Sequence, residues 1–320
     1  MNLESGMLIQ PGNKKNTRLP DFLLVGAAKS ATSSLYFYLD QHPQIAMASQ
    51  KESWFFSYYK NPPDYASPGV LSDVVSELDT YLRLYDGAET NQILGDACPS
   101  YLYTYEDTIR NIRQLYSNEA LEKLKIIISL REPVSRAYSQ FYTFKRKVQE
   151  PLAFDQAIQQ GTINQRLREK WNIFYDYIGF GMYAKQVEAF QQAFGKERVH
   201  VLLYEDIHTD IQKTCRGIYD FLGVDPEIIV DDRHKYNAIS GEPKLKWVVA
   251  GMFSKNRFKR KISALIPERL RMRIIFIIFK ILLKREAMGV NTRRQVAEYF
   301  REDIVKLEKL IGRDLSGWQN

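Results

Sequence analysis

One lysine set among small residues at a strand-to-helix junction is the most chemically pointed feature of this chain. In DFLLVGAAKSATSSL, Asp21 to Leu35, Phe22 to Gly26 reads as a short buried strand and Thr32, Ser33 and Ser34 open an apolar-periodic helix. Between them a loop of small residues carries Lys29. Such a junction is an anion cradle: small side chains let backbone N–H groups approach a ligand, the helix N-terminus adds its positive dipole end, and Lys29 adds a full charge. Other charged residues fall at or just after the ends of predicted strands, namely Asp96, Arg131 and Glu205. Glu52 lies in KESWFF, where a charged pair precedes three aromatics.

The elements that must position these groups alternate. Strands are expected at 22–26, 45–48, 92–96, 125–130 and 199–204, and helices at 77–85, 106–116, 133–147, 152–161, 171–177, 183–194, 211–222 and 292–311. KIIISL, Lys125 to Leu130, is a continuous apolar run suited to a strand covered on both faces. Pro133 sits where the next helix can begin. This spacing defines an α/β class with a central, mainly parallel sheet flanked by helices, in which ligands sit beyond the carboxyl ends of the strands.

Charge is distributed unevenly. The formal net charge is +7, yet residues 255 to 285 hold eleven Lys or Arg against one acid, Glu268. The basic character is local, which suits one anionic partner surface and argues against nucleic-acid binding. That segment, part of a helical stretch expected at about 255–286, has an unbroken apolar run only from Ile274 to Phe279, too short to span a bilayer. Three readings stay open for it: a core-packing helix, an interfacial helix on anionic lipid, or a docking strip for a polyanion. Two cysteines, Cys98 and Cys215, are too few for a disulfide framework and point to a reduced, cytoplasmic setting. Residues 1–19, polar and broken by Gly and Pro, read as a flexible tail ahead of a single domain, 20–320.

Spacing narrows the anion. A triphosphate loop needs G-x-x-x-x-G-K-[ST], whereas Lys29 lies three residues after Gly26 and three before Thr32. A dinucleotide loop needs more glycines than this one.

The chain resembles the sulfotransferases that use 3'-phosphoadenosine 5'-phosphosulfate (PAPS). GAAKSATSSL is similar to the family's 5'-phosphosulfate loop, and LREPVSRAYSQFY to its 3'-phosphate element, in which a strand ends in Arg and a Ser follows eight residues later, here Arg131 and Ser139. The likeness continues through GMYAKQVEAFQQAFGKERVHVLLYEDI, DFLGV and LEKLIGRDLSGW, about Pro20 to Trp318, toward the bacterial branch related to heparan and other carbohydrate sulfotransferases. It implies a P-loop-like three-layer sandwich and a transfer of sulfuryl from PAPS to a hydroxyl or amine of a small-molecule, glycolipid or glycan acceptor. Lys29, Ser30, Ala31, Thr32, Ser33 and Ser34 would hold the 5'-phosphate, and Lys29 would meet the charge that develops there. Arg131 and Ser139 would hold the 3'-phosphate, with Lys244 of KYNAISGEPK reaching it too. Glu52 matches the family's glutamate base at the acceptor, and the aromatics after it are expected to raise its pKa by desolvation. Asp96 would touch the acceptor or support the site from behind. No metal is expected, since sulfuryl carries less charge than phosphoryl.

Two departures stand out. Ala31 replaces the family's usual loop glycine, which fits if that residue keeps a negative φ. Where heparan-type enzymes have an acid-Lys pair before T-P-x-Y, this chain reads Asp96-Ala97-Cys98-Pro99. The alternatives sharing these residues are a divergent nucleotide-type kinase, which would need magnesium, and a catalytically impaired relative that docks on membranes or polyanions through 255–285. Peripheral attachment at the inner face of a membrane follows from the second.

Overall fold

The computed structural model describes residues 18–66, 73–233, 242–243, 283–284 and 286–319. Lys244, nearly all of the basic segment and most of the expected N-terminal tail lie outside the described residues.

Five short parallel strands form the central sheet: β1 (Phe22–Gly26), β2 (Ile45–Met47), β3 (Ile93–Ala97), β4 (Lys125–Leu130) and β5 (Val199–Leu203), in the order β2-β3-β1-β4-β5. Their apolar runs are covered on both faces, as a parallel sheet requires. Side chains alternate across β1, so Phe22 and Leu24 enter one core and Leu23 and Val25 the other. The first core is closed by α1 (Thr32–Leu39) and α11 (Ile211–Leu222), through Leu35, Leu39, Ile218 and Leu222. The second is closed by α4 (Tyr105–Leu115), α6 (Pro133–Arg146), α9 (Tyr183–Phe194) and the C-terminal helix, here α12 (Val290–Ile311). This is the three-layer arrangement anticipated from the sequence.

Between these lie short helices: α2 (Phe55–Tyr58), α3 (Leu78–Leu82), α5 (Asn118–Lys123), α7 (Phe154–Ala157), α8 (Gln160–Arg168) and α10 (Tyr204–Thr209). The helix expected over 152–161 is broken into α7 and the start of α8, and the one expected over 171–177 is a single 3-10 turn, Ile173–Tyr175. Both stretches carry apolar residues that are buried by neighbours, not by helical periodicity, and a bidentate pair between buried Arg166 and Glu150 fixes this region.

β1 occupies the centre of the sheet, with β3 on one side and β4 on the other. The chain leaves β1 toward β2 and later crosses back to β4, so the strand order reverses here. That reversal opens a crevice at the carboxyl ends of β1 and β4, where Lys29 and Arg131 emerge.

Candidate functional site

The cradle is built by the turn from β1 into α1. Gly26 is required by contact: a Cβ there would lie 2.5 Å from Leu102 Cβ. Lys29 and Ala31 both adopt the left-handed region, at φ 69° and 64°. The negative φ expected for Ala31 is therefore not what the chain adopts, and the substitution for glycine costs roughly 1–2 kcal/mol of backbone strain. Ala31 also occupies the N-cap of α1 and offers no side-chain oxygen to its first turn. The first-turn N–H groups are thus left without a side-chain cap, as an anion site at a helix N-terminus requires. Ser30 is fully buried, and its Oγ interacts with the Tyr183 hydroxyl. A buried hydroxyl with spare hydrogen-bonding capacity in an anion loop suits a phosphate oxygen.

Arg131 reaches the cradle from β4. Its Nη1 donates to the Lys29 carbonyl at 3.2 Å, its guanidinium lies 4.3 Å from the centre of the Tyr204 ring, and its own carbonyl accepts from the Tyr183 hydroxyl at 3.0 Å. Ser139, two turns into α6, is nearly buried. Glu132, N-cap of α6, accepts from the N–H groups of Val134 and Ser135 at 2.9 and 2.8 Å and meets Arg293 of α12 at 3.5 Å. The two halves of the predicted site, about a hundred residues apart in sequence, thus share one crevice because β1 and β4 are neighbours.

Glu52 arrives from the loop after β2. It too is left-handed, at φ 60°, and its N–H donates to the Ala97 carbonyl at 3.0 Å. Its carboxylate is 38% exposed and paired with Lys51. The expected desolvation by the following aromatics is not found: Trp54, Phe55 and Phe56 turn into the core while the carboxylate stays open to solvent. Of the two roles expected for Asp96, the geometry favours support from behind. Asp96 is fully buried, and its Oδ2 accepts from the Tyr81 and Tyr101 hydroxyls, each at 2.8 Å. Burial raises its carboxyl above the usual range against the pull of Tyr101 and Tyr81. Since Ser53 Oγ lies 3.2 Å from the Tyr101 hydroxyl, Asp96 anchors the turn that presents Glu52. A strand-end acid gives no sign in sequence of which way it faces.

Electrostatics tie the groups together. Burial lowers the Lys29 ammonium from 10.5 to about 8; Arg146 pushes the same way, Glu52 opposes, and Arg131 and Lys51 add to the depression. Arg146 and Lys147, at the far end of α6, were missed by sequence reasoning. Burial lowers both, and Lys147 also feels Arg146 and Glu52. No motif marks them, because their arrival depends on the direction α6 takes across the sheet. Beyond Glu52, the loop through 66 and the 170–174 stretch form one wall: the Ala66 N–H donates to the Lys170 carbonyl at 2.8 Å, Lys170 meets Asp64 at 2.5 Å, and Trp54 packs edge-on against Phe174.

A doubly wound sheet with an anion cradle at its switch point, a second cationic position on the neighbouring strand and a carboxylate opposite defines a group-transfer architecture for an anionic donor. The comparisons name the family. Residues 19–264 match the model described as Sulfotransferase domain, and the chain belongs to that family. Over 141 residues it is 33% identical to the membrane-associated sulfotransferase kil1 of Dictyostelium discoideum, covering 42% of this chain and 26% of that protein. It is 26% identical over 242 residues to mouse (Mus musculus) heparan sulfate glucosamine 3-O-sulfotransferase 3A1, covering 75% of this chain and 54% of that one. The chain thus spans about half or less of the length of these curated relatives. A sulfotransferase crystal structure from Alicyclobacillus acidocaldarius superposes with a TM-score of 0.71 at 28% identity, over 94% of this chain and 99% of the other.

Proposed function

We propose that the chain moves the sulfuryl group of PAPS to a hydroxyl, or an amine, of an acceptor and releases 3',5'-adenosine bisphosphate. The observation that carries this reading is the convergence of Lys29 and Arg131 in one crevice, two cationic positions suited to a nucleotide with two separated phosphates. Ser30, with the N–H groups of Ala31 to Ser34, holds the 5'-phosphate, and Arg131 and Ser139 hold the 3'-phosphate; Lys244 joins them from the late segment. PAPS supplies an activated sulfuryl group, and Lys29 lies where the leaving phosphate gains charge. Glu52, open to the acceptor side, takes the acceptor proton.

The acceptor class follows from what surrounds Glu52. Arg146 and Lys147 favour an acceptor carrying anionic groups of its own, in keeping with the heparan sulfate named for the mouse relative. Calorimetry with 3',5'-adenosine bisphosphate tests the whole reading: binding to the wild type and a loss of at least 100-fold in Arg131→Ala are expected, from a charge-assisted bidentate contact. Absent binding, or unchanged binding in Arg131→Ala, refutes it. Sulfuryl transfer that persists in chelator separates the reading from a magnesium-dependent kinase, and absence of any transfer favours the impaired relative.

A second part concerns residues 255–285. Their ten net positive charges around an aliphatic run, with the membrane association named for the Dictyostelium relative, support peripheral docking on an anionic lipid surface. A cytoplasmic setting is supported by Cys98 and Cys215, both free and buried. Co-sedimentation with phosphatidylserine vesicles, but not with phosphatidylcholine vesicles, is expected of the full chain and is expected to vanish at high salt. Equal binding to both vesicle types refutes the electrostatic docking.

A further inference from the structure

Arg136 is fully buried one helical turn into α6, between Arg131 and Ser139 along the chain. Its guanidinium hydrogen-bonds only neutral groups, Gln140 Oε1 and the Tyr177 carbonyl, and lies 5.9 Å from the centre of the Phe180 ring. Among the described residues its Nε has no partner. Among the described residues no carboxylate lies within ion-pair distance of it. The acids whose field reaches it, Asp176 and Glu132, are engaged elsewhere: Asp176 takes the Tyr103 hydroxyl and the Gly179 N–H, and Glu132 caps α6 and meets Arg293.

A buried cation without a counter-ion is costly and uncommon. Here it lies one helical turn from buried Ser139 on α6, and Arg131, within electrostatic reach, adds repulsion to that cost. We propose that Arg136 is a positioning and electrostatic residue of the nucleotide site, its missing counter-ion supplied by the 3'-phosphate of the bound nucleotide. The phosphate touches Arg131 and Ser139, while Arg136 acts through the low-dielectric layer behind them. This inference rests on the nucleotide reading of the crevice.

The experiment compares 3',5'-adenosine bisphosphate with adenosine 5'-monophosphate on the full chain, by calorimetry, in wild type, Arg136→Met and Arg136→Lys. Wild type is expected to bind the bisphosphate more tightly than the monophosphate. For loss of a unit charge at an effective dielectric near 20, Arg136→Met is expected to lose about tenfold or more in bisphosphate affinity and much less in monophosphate affinity. Arg136→Lys, which keeps the charge, is expected to retain most of the difference. If wild type binds neither ligand, the nucleotide reading itself fails. If wild type binds and Arg136→Met binds the bisphosphate equally well, or loses both ligands by the same factor, the inference alone is overturned. Unfolding of both variants also overturns it, since the protein would then need the hydrogen bonds to Gln140 and Tyr177 and not the charge.

Discussion

Replacing Lys29 by methionine is expected to stabilise the unliganded protein while abolishing its hold on the nucleotide. The fold buries this ammonium close to Arg146, Arg131 and Lys51, with Glu52 as the opposing charge. Its folded value of about 8 lies below the 10.5 of the unfolded chain, so the charged form is disfavoured by folding. The penalty is fully present below pH 8. There it amounts to about 3 kcal/mol, from 1.36 kcal/mol for each pH unit between the two values. Between pH 8 and 10.5 the unfolded chain binds the proton and the folded one does not, so wild-type stability rises with pH in that window. Methionine keeps the length and the apolar stem and removes the charge. The gap between variant and wild type should therefore fall from about 3 kcal/mol at pH 7 to about 1.4 at pH 9.5. With an unfolding entropy of about 0.7 kcal/mol/K for 320 residues, the gain at pH 7 is about 5 °C in Tm. Urea denaturation of both proteins at three pH values, without ligand, measures it. A variant no more stable than wild type at pH 7, or a gap independent of pH, refutes the reasoning.

Two further substitutions follow from the geometry. Glu52→Gln is expected to leave the fold and the affinity for 3',5'-adenosine bisphosphate unchanged while lowering turnover by 10²–10⁴-fold; steady-state kinetics beside calorimetry checks this, and full activity removes Glu52 as the base. Ala31→Gly is expected to raise stability by about 0.5–1 kcal/mol, since relief of left-handed strain outweighs the added freedom of the unfolded chain. Chemical denaturation reads that change, and a loss of stability would mean that the Ala31 methyl contributes more by packing than its φ costs.

Much of this protein was legible from its residues alone. The alternation of apolar runs and helical periodicity specified five strands and the α/β class, because a parallel strand covered on both faces has to be apolar throughout, and KIIISL is. The cradle was legible because small residues, one lysine and a helix start are all local. What the chain could not state was direction. Asp96 and Arg131 both end strands; the fold turns one into a layer of tyrosine hydroxyls and the other into the crevice, a choice made by the neighbours of β3 and β4. The aromatics after Glu52 suggested a shielded carboxylate, yet two left-handed residues, Glu52 and Trp54, send the rings inward and leave the acid outside. Arg136, Arg146 and Lys147 belong to no pattern. Only the path of α6 over the sheet decides that Arg136 is sealed in the interior while Arg146 comes within electrostatic reach of Lys29 and Lys147 of Glu52, since the field at a point in a protein depends on distances through space that sequence separation does not encode.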